Sequence, residues 1–442
     1  MAGGANPAVR WFARAVCWVF YRIDRIGSPP PEGAVLLLPN HPNSLLDPAV
    51  VWATADRDVR FLAKSTLFDT PLRLVLTGAG AIPVYRKQDR GVDTSKNEET
   101  FAAVSAALAE GAAVCIFPEG ISHSTGRLEP LRTGAARMAL AAEREGTAVA
   151  LVPVGLNFDR KSAFRSRATV VFGQSFSARD LLASPDGARD AVRDLTERIA
   201  ERIRLLLVEA DPQADAAIVD RVDRLYSAAR ERRRRNPEER LTRRRTIAAG
   251  IDQLRQADPV RYDSVLLRLR RYDERLRRFG LRDRHLDWQI STRDAVRFAA
   301  REIPLAIVLL PLCAIGLLLF FVPYQLTALV ARRFTRERDI IATAQVFSGA
   351  AMYAAWLLII STLVWFLAGR RAAFVVSLAL PIVALLSLFA IERESAVIDA
   401  VRSWWLLRRA HADTRERLRR RRSELADVLD EVNDWLESRA QR

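Results

Sequence analysis

Cysteine is nearly missing from this chain: Cys17, Cys115 and Cys313 are its three, and none stands at a paired spacing. That excludes a disulfide framework and a cysteine-based zinc site. Histidine is as scarce, with His41, His123, His285 and His411 making up all four. Lysine occurs only at Lys64, Lys87, Lys96 and Lys161, so arginine carries the formal net charge of +16. No glycine-rich phosphate loop, metal-ligand cluster or GxSxG elbow is present, which argues against NTPase, zinc-hydrolase and serine-hydrolase chemistry. The first thirty residues lack a clean signal peptide, because Arg10, Arg14, Arg22, Asp24 and Arg25 interrupt the apolar positions. The globular part is therefore expected in the cytoplasm.

Apolar and charged residues are distributed as a mosaic. Residues 7–26 place Trp11, Phe12, Ala15, Trp18, Val19 and Ile23 on one helical side with arginines at its margins, the pattern of a helix lying in a membrane interface. Gly27 and the proline run that follows end it. From Ala34 to about residue 211, short apolar runs such as AVLLLPN and ALVPVGLNF alternate with amphipathic segments such as TFAAVSAALAEG. Strands alternating with helices predict an α/β sheet flanked by helices.

Residues 212–302 are helical by propensity and rich in charge, with Leu266, Leu267, Leu269, Leu276 and Leu281 supplying an apolar side, so a charged helical arm is expected. Three stretches without a charged residue follow, 303–331, 340–369 and 372–391. Each is long enough to cross about 30 Å of hydrocarbon as a helix. Arg370 and Arg371 alone separate the last two, which reads as a hairpin. The first contains Pro304, Pro311 and Pro323, and a re-entrant segment or a kinked span is expected there. The re-entrant form is preferred, because it leaves the basic arm and the basic tail, 392–442, on one face of the membrane. The expected organisation is thus an interfacial helix (1–27), an α/β domain (28–211), the arm (212–302), a membrane region (303–391) and a helical tail. With apolar spans in the same chain, the positive charge points to an anionic membrane face and not to nucleic acid.

One histidine stands at the end of a predicted buried strand: His41, in LLLPNHPNSLLDPAV. Asp47 and Pro48 that follow suit the N-cap and first position of a helix. An imidazole that donates one ring proton to a carboxylate is fixed in tautomer and orientation, and its other nitrogen can take a proton from an alcohol. His41 and Asp47 are the candidate catalytic pair. Arg86, at a strand end, has the fork geometry that suits a phosphate monoester.

His41, Asp47 and Arg86 belong to the first two of four blocks: Asn40 to Pro48, GAIPVYR at Gly80 to Arg86, FPEG at Phe117 to Gly120, and LVPVG at Leu151 to Gly155. In that order they resemble the glycerol-phosphate and lysophosphatidate acyltransferases. Five residues between His41 and Asp47, where the bacterial lysophosphatidate enzymes have four, make the spacing similar to the fungal-type glycerol-3-phosphate acyltransferases. The resemblance implies a glycerolipid acyltransferase-like sheet and a membrane-bound enzyme that moves a fatty acyl group from an acyl thioester to glycerol-3-phosphate. Lysophosphatidate as acceptor, or an inactive basic membrane scaffold, are its alternatives. It also implies substrate contacts at Asn40, Glu119, Gly120 and Pro153, further phosphate contacts at Lys64 and Arg132, backbone donors for an oxyanion near Gly120 or Pro153, and no metal. Acyl-CoA or acyl-carrier protein would serve as co-substrate and no further cofactor is needed. The expected setting is the inner membrane, with catalysis on its cytoplasmic face.

Overall fold

The computed structural model describes residues 6–70, 72–85, 95, 97–182, 188–210, 215–230, 236–287, 292–334, 341–409 and 412–440. Two compact units are formed: Met1–Ala217 with Arg235–Ala248 and Glu337–Val346, and Ile218–Arg234 with Ala249–Arg336 and Phe347–Arg442.

The first unit contains α1 (Pro7–Phe20), β1 (Tyr21–Ile26), β2 (Val35–Pro39), α2 (Leu46–Thr54), β3 (Val59–Lys64), α3 (Arg73–Gly78) and β4 (Ile82–Val84). It continues with α4 (Asn97–Ala109), β5 (Ala113–Cys115), α5 (Gly134–Arg144), β6 (Ala150–Phe158), β7 (Ser166–Phe172), α6 (Arg179–Leu182) and α7 (Ala188–Arg204). The strands form one sheet in the order β1-β7-β6-β2-β5-β3-β4. The five strands from β6 to β4 run parallel, and β7 is antiparallel to β6.

Every residue of β2 is buried, as a central strand of a sheet covered on both faces requires. Its side chains divide by the pleat. Leu36 and Leu38 join the core under α4, α5 and α7, whereas Val35 and Leu37 join the core under α1 and α2. On α7 the buried Leu195, Ile199 and Ile203 recur at helical spacing and make its inner stripe.

The amino-terminal segment differs from the expected single helix over 7–26. The helix ends at Phe20, and Tyr21–Ile26 becomes an edge strand paired with β7 in parallel. The apolar positions Tyr21 and Ile23 satisfy both a helical and a strand period, and pairing with β7 decides for the strand. Within α1, Cys17 and Phe20 are buried in the core while Trp11, Phe12 and Trp18 stay exposed, Trp11 by 71%.

The second unit includes α8 (Ala216–Ala229), the later part of α9 (Pro237–Ala257), α10 (Pro259–Arg278), α11 (Asp283–Leu286), α12 (Thr292–Phe334), α13 (Ile341–Arg409) and α14 (Ala412–Ala440). Much of the arm's charge is used internally. Arg221 pairs with Asp273 and Asp283, and Arg422, only 3% exposed, pairs with Asp287. Leu254, Val265, Val432 and Leu436 form an apolar seam between arm and tail. Glu231 and the arginine run 232–235 lie outside the described residues.

Residues 303–331 lie within one continuous helix and not in a re-entrant turn, so the three prolines are carried inside α12. In α13 the backbone breaks at Gly369 (φ 84°), and Ser377 Oγ donates to Ser361 Oγ across the break at 2.8 Å, which closes a hairpin. Two stretches, Ala300–Thr327 and Thr343–Ile391, are apolar and long enough to cross a membrane. Glu302, near the start of the first stretch, pairs at 2.7 Å with Arg393, two residues beyond the end of the second.

A close approach explains one glycine of the fourth sequence block. A Cβ on Gly155 would stand 2.7 Å from both the Cβ and the carbonyl oxygen of Leu206. Gly155→Ala is therefore expected to destabilise the first unit by about 1–3 kcal/mol, as overpacking does. Thermal unfolding of the detergent-solubilised protein measures it, and an unchanged midpoint would show that Leu206 yields freely.

Candidate active site

The parallel strands β2, β3, β4 and β5 end on one edge of the sheet, where open α/β sheets place their ligands. β2 delivers the loop Asn40 to Leu45, β5 delivers Phe117 to Thr125, and β3 ends at Lys64. His41 is therefore at the edge because it follows a fully buried strand.

His41 Nδ1 lies 2.8 Å from Asp47 Oδ2, and the same oxygen accepts the Asn43 backbone N–H at 2.6 Å. The Asp47 side chain has no solvent exposure and that of His41 has 19%. Helix α2 starts at Leu46, so Asp47 sits in its first turn and is not its N-cap. There the positive end of the helix dipole favours the carboxylate. Five intervening residues fit because Ser44 takes a left-handed conformation (φ 50°) and its N–H donates to Ser122 Oγ at 2.9 Å. Burial pushes the Asp47 carboxyl above the ordinary carboxylate range, opposed by the hydrogen bond and charge of His41, the Asn43 N–H and the Lys161 charge.

Phe117 stacks on the His41 imidazole, with ring centroids 4.0 Å apart and planes 24° from parallel. With Nδ1 on Asp47 and one ring face covered, the imidazole has a defined plane. Its Nε2 makes no hydrogen bond to a described residue and is the nitrogen available to a substrate proton.

Glu119 has no exposed side-chain surface. One carboxylate oxygen accepts the His41 backbone N–H at 2.6 Å; the other accepts the Glu129 N–H at 2.8 Å and pairs with His123 Nε2. Both oxygens bond within the protein, and Glu119 braces the His41 loop. Asn40 is engaged by the protein in a similar way. Its amide donates to Leu156 O at 3.2 Å and accepts Leu156 N–H at 2.7 Å, which ties the end of β2 to β6. Pro153 is buried within β6 and its carbonyl accepts the Gly173 N–H. The Gly120 N–H closes a turn on Phe117 O at 3.0 Å.

Gly120 (φ 70°) keeps its glycine for another reason: an added Cβ would meet Arg132 Cγ at 3.2 Å. The exposed Arg132 thus lies over the turn that carries Glu119, and half-buried Lys64 stands at the same sheet edge. Arg86 lies outside the described residues. Among the described residues, no group of three or more His, Cys, Asp or Glu is placed to hold a metal.

The sequence reading did not single out Phe117, Tyr21, Asn43 or Lys161 for a role at the site. Phe117 lay within a quoted block, but stacking has no signature in a linear string. A cavity of about 630 Å³ lined by Trp11, Arg14, Trp18, Arg25 and Asp56, among others, opens beside α1 and is separate from the dyad.

Residues 6–157 match the Acyltransferase family, a span that holds His41, Asp47, Phe117 and Glu119. Among similar proteins, glycerol-3-phosphate O-acyltransferase 1 of Saccharomyces cerevisiae is 35% identical over 125 residues, 27% of this chain and 16% of that protein. Glycerol-3-phosphate O-acyltransferase 2 of the same yeast is 31% identical over 140 residues, 31% of this chain and 19% of that protein. The chain thus matches less than a fifth of the length of either. A crystal structure of the 1-acyl-sn-glycerophosphate acyltransferase PlsC from Thermotoga maritima aligns at 16% identity with a TM-score of 0.31, covering 45% of this chain and 79% of that one. That likeness is too slight to build on.

The raised Asp47 pKa has a consequence for stability. In the unfolded chain Asp47 ionises in the ordinary range, whereas in the fold it holds its proton to higher pH. Stability is therefore lost as pH rises through the raised pKa, and Asp47→Asn escapes that loss. The melting midpoint of Asp47→Asn relative to wild type is expected to climb as pH rises from the ordinary carboxylate range through the raised pKa of Asp47, and a difference independent of pH would contradict the raised pKa.

Proposed function

We propose that this protein is a membrane-bound O-acyltransferase that transfers a fatty acyl group from an acyl thioester to glycerol-3-phosphate. One observation carries the reading: a histidine at the end of a central strand, its Nδ1 held at 2.8 Å by a fully buried carboxylate and its Nε2 turned away from that carboxylate. Such an imidazole is a general base for an alcohol. His41 Nε2 takes the hydroxyl proton as the alkoxide oxygen attacks the thioester carbonyl. The tetrahedral intermediate then collapses, the carbon–sulfur bond breaks, and the departing thiolate takes the proton from His41. No acyl-enzyme is required. Asp47 holds the imidazolium during the interval between the two proton transfers.

The acceptor is inferred from the two yeast relatives named for glycerol-3-phosphate and from cationic groups at the same sheet edge. Lys64 and Arg132 are proposed to meet the phosphate together with Arg86. Membrane attachment is supported by the two long apolar helices and by the exposed Trp11, Phe12 and Trp18 of α1. We place the acyltransferase domain on the cytoplasmic face of the inner membrane, a setting that suits the net charge of +16. Acyl-CoA or acyl-carrier protein supplies the thioester, and no other cofactor enters the mechanism.

In vesicles, radiolabelled acyl transfer to glycerol-3-phosphate is expected to exceed transfer to lysophosphatidate, with each donor tested. His41→Ala should lower kcat by about 10²–10⁴-fold, the usual worth of a general base, while the protein remains folded and sediments with membranes. Full activity in His41→Ala would remove the general-base role, and a preference for lysophosphatidate would reassign the acceptor.

A further inference from the structure

The geometry of the dyad depends on a residue far along the chain. Lys161, in the loop after β6, donates from Nζ to Pro42 O at 2.9 Å, to His123 O at 3.3 Å and to Ser124 Oγ at 3.3 Å. An ammonium has three N–H donors, and three protein acceptors surround this one. Pro42 adjoins His41, and His123 and Ser124 belong to the loop that carries Glu119. The two loops already share a bond from His123 N–H to His41 O at 3.2 Å.

A second connection leaves from the backbone of the same residue. The Lys161 carbonyl accepts the Tyr21 hydroxyl, Tyr21 Oη accepts Asn43 Nδ2–H at 2.7 Å, and the Asn43 backbone N–H is the one on Asp47 Oδ2. Tyr21 and Asn43 have no exposed surface. Pro42 and Asn43 are adjacent, so the path from Lys161 Nζ through Pro42, Asn43 and Tyr21 returns to the Lys161 carbonyl. It is a closed ring with the catalytic carboxylate hanging from one member.

We propose that Lys161 is a positioning residue for acyl transfer: its ammonium staples the His41 loop to the Glu119 loop, and its carbonyl, through Tyr21 and Asn43, sets Asp47 against the imidazole. This rests on the reading of His41 and Asp47 as the general-base pair. It also gives a different part to a lysine at this edge, since its donors point at the protein and not at a phosphate. The ionisable groups facing Asp47 are His41, Lys161, Tyr21 and Cys115. Burial raises the Tyr21 and Cys115 pKa values, which keeps both neutral, so Lys161 is the permanent positive charge among them.

The test compares wild type, Lys161→Met, Lys161→Arg and Tyr21→Phe in the full-length, membrane-reconstituted protein. Turnover of glycerol-3-phosphate with acyl-CoA is followed against pH, and the ring signals of ¹⁵N-labelled His41 are followed without substrate. Lys161→Met is expected to lower kcat by about 100-fold, the cost of a misplaced catalytic group, with KM for the acceptor changed by less than about threefold. Without the cation the dyad takes up its proton more readily, so the acidic limb of the kcat/KM profile moves to higher pH. Lys161→Arg should recover part of kcat and return the limb. Tyr21→Phe, which removes one hydroxyl, should lower kcat in the same sense and shift the His41 signals.

A rise in acceptor KM at unchanged kcat would make Lys161 a phosphate contact and overturn the proposal, as would His41 signals identical in all four proteins. The spectroscopic arm needs no turnover. Perturbed His41 signals in a protein inactive toward every acceptor would therefore uphold the positioning role and defeat only the acyltransferase reading.

Discussion

A carboxylate with no contact to water is expensive to ionise, and Asp47 sits in that position with one oxygen taking two short hydrogen bonds. Its surroundings offset the cost in several ways. The Asn43 N–H, the imidazole, the first turn of α2 and the Lys161 ammonium all favour negative charge at that point. The other oxygen, Oδ1, has no hydrogen-bond partner among the described residues. Isolated from its neighbours, this carboxyl would keep its proton and could not hold an imidazolium. The loop conformations around it follow from the need to bring those partners in.

The sheet supplies the frame. Because β2 is buried on both faces and flanked by β5 and β6, the loop that follows it starts from a rigid point. Asn40 ties that point to Leu156, Glu119 ties the His41 backbone to the β5 loop, and Phe117 covers one face of the ring. The left-handed Ser44 takes up the extra residue between His41 and Asp47. Much of the sequence in the first and third blocks thus serves to hold the imidazole, and a smaller part is left for substrates.

The α/β class, the positions of most strands along the chain and the pairing of His41 with Asp47 were legible in the sequence, because each has a local signature. Buried strands are apolar runs, and a histidine at a strand end six positions before an aspartate is a short pattern. What could not be read is long-range. The edge strand β1 shares its apolar spacing with the helix before it, and only pairing with β7 separates them. The bonds of Asn40 to Leu156 and of Lys161 to Pro42 each cross more than a hundred residues of chain. Polar residues in the signature blocks invite assignment to substrate, yet Asn40 and Glu119 are consumed by backbone groups. Arginines of the arm and of the tail are paired with aspartates of the same unit, among them Arg221 with Asp283 and Arg422 with Asp287.

The dependence of His41 on Asp47 is tested most directly by a double-mutant cycle in kcat, with His41→Ala, Asp47→Ala and the two combined measured on one acceptor. Residues that act as one unit lose little more together than the more damaging single change. The combined variant should therefore turn over within a few-fold of His41→Ala alone. Losses that multiply would mean that Asp47 contributes by a route that does not pass through the imidazole.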